Sequence, residues 1–208
     1  SYDDFIKNKL KKKYNWILFV YVETASCTKY DITEVNRISK TLNCKLMVDA
    51  TASIGLEKNH SLADVIFFSS CKGLLGPTGL GFIGYKNNIK FIKSNDFWFN
   101  LDTHANSKYT LGYNCIASLY GVSKKHSIFK SKILYAHKII KKVVKPNIVK
   151  PIIGAPLKYK LNNKLKKNND LIFYEPRDNP GYDVLFFLGL VKLGKVQIKK
   201  FLNKEIIK

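Results

Sequence analysis

The stretch D-V-I-F-F-S-S-C-K-G-L-L-G-P-T-G-L-G-F, residues 64–82, decides the fold. It opens with a short apolar run, Asp64 to Phe68, bounded by small polar residues. Such a run reads as a buried strand. Ser69, Ser70, Cys71 and Lys72 follow at its C-terminal end. Gly73 to Gly81 then holds four glycines and one proline, so the chain must turn sharply there. Phe82 to Tyr85 resumes as a fourth short strand. A lysine after a strand is usually structural, and so is a Ser-Ser pair. Their placement before a Gly-rich turn makes the combination informative.

Two similar runs lie upstream. Asn15 to Val22 (N-W-I-L-F-V-Y-V) is β-branched and aromatic, and Glu23-Thr24 follow it. Cys44 to Asp49 (C-K-L-M-V-D) ends in a carboxylate, at the strand end where ligands of α/β sheets collect. Between them Asp31 or Thr33 can cap a helix that runs to about Leu42, with Val35 and Ile38 on one face. Strand–helix–strand alternation with continuous apolar strands predicts a parallel or mixed sheet with helices on both faces.

After Lys86 the pattern changes. Helices are expected near Asn114 to Lys124 and Ile128 to Val144, and an amphipathic helix over Val196 to Ile207. Leu171 to Tyr174 reads as a strand. Asp3 to Tyr14 is helix-compatible, and Lys145 to Asn169 is Lys/Asn/Pro-rich without a clear period. A soft boundary falls near residue 95.

Composition narrows the function classes. The 208 residues are 46% hydrophobic, enough for a sizeable core. No apolar run reaches the ~18–20 residues of a membrane span, and Ser1-Tyr-Asp-Asp has no signal-peptide pattern. Cys27, Cys44, Cys71 and Cys115 have no C-x-x-C spacing, which fits reduced thiols in a cytoplasmic protein. The net charge of +21 would suit a nucleic acid or an anionic surface. Its basis is 34 lysines against Arg37 and Arg177 alone. That bias accompanies abundant Asn and Ile, all with AT-rich codons, whereas phosphate readers enrich Arg. The charge is therefore read as compositional, and nucleic acid as an unlikely partner. His60, His104, His126 and His137 have no metal-ligand spacing, and no metal is expected.

Taken together, three segments resemble the class V aminotransferases. V-E-T-A-S at 22–26 resembles their V-E-T-S-T-G or G-E-S-S-T-G loop. V-D-A-T-A-S-I-G at 48–55 resembles their V-D-A-x-S-S-F-G segment, and residues 64–82 resemble their cofactor-lysine segment. Alanine–glyoxylate and 2-aminoethylphosphonate–pyruvate aminotransferases are similar. The good match covers residues 15 to 86. It implies an α/β fold type I transferase of pyridoxal 5'-phosphate. Residues 1–95 would be part of the cofactor-binding large domain, with a mixed, mostly parallel sheet between helices. Residues 96–208 would be its remainder and a smaller α+β C-terminal domain.

The resemblance implies a role for each matching residue. Lys72 would form the Schiff base with the cofactor and then move the proton between donor Cα and C4′. Asp49 would keep the pyridine nitrogen protonated, because a carboxylate favours the cation. Thr51 matches a residue that packs on the ring face, Ser69 a hydroxyl on the phosphate, and Thr24 a hydroxyl near the ring oxygen or substrate. Lys108-Tyr109-Thr110 resembles an x-F-T-P segment whose Thr reaches the phosphate of the partner subunit, which implies a homodimer. The implied activity moves an amino group from an amino acid or aminophosphonate to a 2-oxo acid.

Four departures accompany this pattern. The spacing from Asp49 to Lys72 is shorter than the family's, with the deficit between Leu56 and Ser61. The family's earlier segment, with a phosphate-binding loop at a helix N-terminus and a ring-stacking aromatic, has no counterpart, so a missing N-terminal part is expected. Leu185-Phe-Phe-Leu-Gly-Leu lacks the Arg that would clamp a substrate carboxylate. The segment after Lys72 is also shorter than in relatives. Two alternatives stay open. One is a cysteine-desulfurase-like lyase, for which Cys115 is the only cysteine after Lys72. The other is a truncated or decayed, non-catalytic homologue.

Overall fold

The computed structural model describes residues 13–106, 113–144, 150–162, 172–177 and 181–207. In chain order the elements are β1 (Trp16–Val20), β2 (Val22–Glu23), β3 (Thr28–Lys29), α1 (Ile32–Thr41), β4 (Lys45–Asp49), β5 (Val65–Ser69) and β6 (Gly81–Tyr85). They are followed by α2 (Leu101–Asn106), α3 (Tyr113–Ser123), α4 (His126–Ile139), β7 (Gly154–Pro156), β8 (Ile172–Tyr174), β9 (Val184–Phe186) and α5 (Lys195–Glu205). No helix among the described residues is long and apolar enough to cross a membrane.

The apolar runs of the first half assemble into one four-stranded sheet of order β1-β4-β5-β6. β1 pairs with β4 and β4 with β5, both parallel, so Val20, Asp49 and Phe67 lie side by side. The Gly-rich turn returns the chain as β6, antiparallel to β5, with Gly81 opposite Ser69. The sheet is thus mixed and mostly parallel, as the strand pattern predicts. α1 starts where Asp31 caps it, its carboxylate accepting from the Thr33 amide at 2.9 Å and the Glu34 amide at 3.4 Å.

Strand alternation sends neighbouring side chains to opposite faces. One face carries Ile17, Phe19, Leu46, Val48, Ile66 and Phe68, which pack with Ile32 and Val35 of α1. Leu46 and Val48 are fully buried there. Each such side chain contributes about 1.5–3 kcal/mol. The other face carries Leu18, Met47, Asp49, Phe67, Ser69, Ile83 and Tyr85. Leu18 is 67% exposed, Tyr85 53% and Ile83 49%. The described helices therefore cover one face of the sheet, where the sequence predicts both to be covered.

The second half forms a three-stranded antiparallel sheet of order β7-β9-β8. α4 and α5 pack beside it, with Ile133, Ala136, Ile198 and Leu202 fully buried. The expected strand at Leu171 to Tyr174 is β8. β7 and β9 carry no legible signal in the sequence. The long helix expected over 128–144 is α4, followed by a 3-10 turn over Ile140–Lys142. Val22, Ala52 and Leu56 from the first half belong to the same apolar cluster as α4, β7 and β9. A carboxylate also ties the halves together. Glu57, 7% exposed at its side chain, pairs with Lys29 at 3.1 Å and accepts from the Ile152 amide at 2.7 Å.

Candidate functional site

Lys72 leaves the C-terminal end of β5, and the loop after it is tightly held. Gly73 donates its amide to the Thr51 carbonyl at 2.9 Å. A Cβ at Gly73 would stand 2.3 Å from the Ile54 carbonyl oxygen, so only glycine permits this approach. The neighbouring Gly55 has φ +74°, and a Cβ there would meet the His126 ring at 2.9 Å. α4 secures both glycines: His126 lies 3.1 Å from the Gly73 carbonyl, and Lys130 donates to the Gly55 carbonyl at 2.9 Å. Ser70, fully buried, donates to the Pro77 carbonyl across the turn.

The Lys72 amine points across to the β2–β3 turn and donates to the Thr24 hydroxyl at 3.1 Å. Both residues line a cavity of about 280 Å³. Its far wall is apolar, built from Ile153, Tyr174, Phe186 and Leu188 of the second half. Asp49 ends β4 in the neighbouring strand, half-buried, and its carboxylate accepts the Thr51 amide at 2.9 Å. Because Thr51 in turn accepts from Gly73, the backbones carrying Asp49, Thr51 and Lys72 are tied side by side.

The structure thus brings Lys72 and Thr24 into contact and sets Asp49 and Thr51 beside them. Ser69 ends β5 with its hydroxyl 3.2 Å from the Cys71 sulfur. Cys71 is half-buried. Thr110 lies outside the described residues. Arg177 is exposed, and no arginine lines the cavity among the described residues. Cys115 sits in α3 and donates to the Thr78 carbonyl at 3.2 Å, away from the cavity lining. Among the described residues, no three His, Cys, Asp or Glu side chains form a metal-binding group.

Three features of the surroundings have no signal in the sequence reading. His126 and Lys130 buttress the lysine loop from a helix more than fifty residues away. Glu23 organises the turn that carries Thr24. Its carboxylate accepts from the Ala25 amide at 2.7 Å, the Ser26 amide at 2.6 Å and the Ser26 hydroxyl at 2.6 Å. Burial works to raise the pKa of Glu23. The Ser26 bonds, the Ala25 bond and the Lys72 charge outweigh it and hold the carboxyl below its ordinary range. Behind the turn Cys27 is fully buried in the left-handed region at φ 52°, and burial pushes its thiol pKa far up, so it stays protonated.

A pyridoxal-phosphate group fits part of this arrangement. An amine opening on a cavity can anchor its aldehyde, whereas Asp49, Thr51 and Ser69 are not among the residues that line that cavity. The described residues offer no built cradle for its phosphate.

The fold is that of the fold type I transferases. Residues 2–95 match the family described as Aminotransferase class-V, and the chain is similar to that family over this stretch. Solved structures agree in fold. A phosphoserine aminotransferase from Cytophaga hutchinsonii superimposes with a TM-score of 0.67 at 14% identity, over 92% of this chain and 64% of that one. An alanine–glyoxylate aminotransferase from Nostoc sp. gives 0.70 at 10% identity, over 97% and 65%. A ureidoglycine–glyoxylate aminotransferase from Bacillus subtilis gives 0.64 at 13% identity, over 98% and 64%. The chain thus spans less than two thirds of each of these structures. Comparison with curated protein sequences gives no match.

Proposed function

We propose that this chain is the greater part of a pyridoxal-phosphate-dependent aminotransferase in which Lys72 holds the cofactor. The amino group would pass from an amino acid or aminophosphonate to a 2-oxo acid. One observation carries the reading: the Lys72 amine opens on a cavity and rests 3.1 Å from the Thr24 hydroxyl, while Asp49 ends the adjacent strand. The class V family is pyridoxal-phosphate-dependent, and its sequence pattern matches over this segment. When bound, the cofactor supplies an electron sink for the carbanion left at the donor Cα.

The chain's own residues supply the rest. Lys72 would release the cofactor to the incoming donor and then carry the proton from the donor Cα with its freed amine. Thr24 would hold that amine in line through its hydroxyl. Asp49 would keep a cationic ring nitrogen in place. Its carboxylate is pre-oriented by the Thr51 amide, so no reorganisation is needed when charge develops. Thr51 would pack on the ring, and Ser69 and Thr110 would contribute hydroxyls to the phosphate. The apolar wall of Ile153, Phe186 and Leu188 would exclude water.

A homodimer in the cytoplasm belongs to this reading, with residues 1–95 in the cofactor-binding part and 96–208 in the remainder of the enzyme. A cysteine desulfurase would need a thiol that reaches the cavity. Cys115 is engaged with the Thr78 carbonyl instead.

Absorbance spectroscopy tests the proposal. Purified protein mixed with pyridoxal phosphate should develop a long-wavelength band that Lys72→Ala abolishes, with the circular dichroism of the two proteins alike. A folded wild-type protein without the band, or a Lys72→Ala variant that keeps it, would sink the assignment.

A further inference from the structure

Glu23 lies next to Thr24 in sequence but takes no part in the cavity lining. Its carboxylate turns back into the β2–β3 connection, where it closes three hydrogen bonds on Ala25 and Ser26. The Ser26 hydroxyl, its one proton given to Glu23, accepts from the Thr28 hydroxyl at 2.8 Å, which carries the order into β3. The turn is short, closed by the pairing of Glu23 with Thr28 and anchored by the left-handed, fully buried Cys27. Thr24 sits inside this bonded segment, and its hydroxyl accepts from the Lys72 amine at 3.1 Å. Charge-assisted bonds to a carboxylate are about twice as strong as neutral ones. Three of them on one residue make Glu23 the polar centre of the turn that carries Thr24.

We propose that Glu23 is a positioning residue for Lys72: its carboxylate fixes the 23–26 turn so that the Thr24 hydroxyl meets the lysine amine. The inference rests on reading Lys72 as the reactive lysine. It makes Glu23 act through Thr24, without touching substrate or cofactor.

The test reads Lys72 directly and needs no cofactor. Pulse acetylation with acetic anhydride, followed by peptide mass spectrometry, gives the labelling rate of each lysine as a function of pH. Lys86, ion-paired with Asp64 at the other end of β5, serves as the internal reference. Glu23→Gln and Thr24→Val should each change Lys72 labelling about threefold to tenfold, the range expected for one lost hydrogen bond. Glu23→Asp, which keeps the carboxylate, should bring the Lys72 rate back toward the wild-type value. In the double variant the rate should match that of Thr24→Val alone, since a residue acting through Thr24 has no further effect on placement once that hydroxyl is gone.

A Glu23→Gln protein whose Lys72 labels at the wild-type rate overturns the proposal, as does a Glu23→Asp protein that labels no closer to wild type than Glu23→Gln. So does a rate effect that adds in full to that of Thr24→Val. Should Glu23→Gln fail to fold, Ser26→Ala removes the hydroxyl bond alone. It must then shift the Lys72 rate in the direction that Thr24→Val does, and an unshifted rate is equally decisive against the idea. Because the labelling uses no pyridoxal phosphate, its outcome is independent of the absorbance test of Lys72.

Discussion

On one face of the four-stranded sheet, Leu46 and Val48 are sealed beneath α1. On the other, the next residues of the same strand, Met47 and Asp49, share a surface with exposed Leu18, Ile83 and Tyr85. The strands are common to both faces, so the backbone ladder cannot explain the difference. Apolar burial concentrates on the covered face, and the side chains with chemistry to offer stand on or beside the open one. Residues that stabilise the fold and residues proposed to serve the reaction should therefore be separable by single substitutions, although they alternate along one strand.

The sharpest test of this division is Asp49→Asn. The amide keeps the side-chain oxygen that accepts from Thr51, so the turn survives and the melting temperature should stay at the wild-type value. The rate of amino-group transfer should fall about 100-fold to 1000-fold, the cost of losing one preorganised electrostatic partner. Steady-state kinetics beside a thermal melt would show it. A variant with an unaltered rate takes Asp49 out of the chemistry and blurs the contrast between the faces.

The second test compares two leucines. Leu46→Ala on the covered face should cost about 2–5 kcal/mol in urea unfolding. Leu18→Ala on the open face should cost about 0.5 kcal/mol or less. Equal costs would mean that the open face is covered in solution, by a partner chain or by further polypeptide.

The smallest effect comes from His60. It bonds the Ser53 hydroxyl at 2.9 Å and packs edge-on to Tyr21 on the covered side. Burial holds its pKa below the ordinary value, against the raising effect of Glu57. The unfolded chain therefore takes up a proton near pH ~6.5 that the folded state still refuses. Stability is fully present above that pH and declines as the pH falls through it, levelling off below the folded value. His137, whose pKa burial also lowers, adds a dependence of the same sign. His60→Gln should make the slope of urea midpoint against pH shallower. An unchanged slope would mean that His60 is not buried as a neutral ring.

Much of the covered face is written in the sequence. Runs such as C-K-L-M-V-D and D-V-I-F-F are local signals, and Asp31 before an amphipathic stretch is a local cap, so β4, β5 and α1 fall within a residue or two of expectation. The placement of Lys72 at a strand end was legible for the same reason. β7 and β9 were not, because three-residue strands are too short to show a period and exist only through hydrogen bonds to strands far along the chain or beside them, β9 lying between β7 and β8. Neither were the helix residues that hold the lysine loop. His126 and Lys130 reach Gly73 and Gly55 only after the chain has folded back, and nothing in their neighbourhood of the sequence marks them. Glu23 was visible as part of a motif. Its role as the centre of a bonded turn depends on backbone amides, which a sequence does not display.

The apolar cluster that unites Val22, Ala52 and Leu56 with α4, β7 and β9 bears on how the molecule comes apart. A cluster drawn from both halves of a chain makes them one cooperative unit. Opening the second half strips Leu56 of its neighbours, and opening the first strips Ile133. Amide protons in α4 and around Leu56 should therefore exchange together with solvent at the free energy of global unfolding, with the cavity between the halves created and lost in that same step.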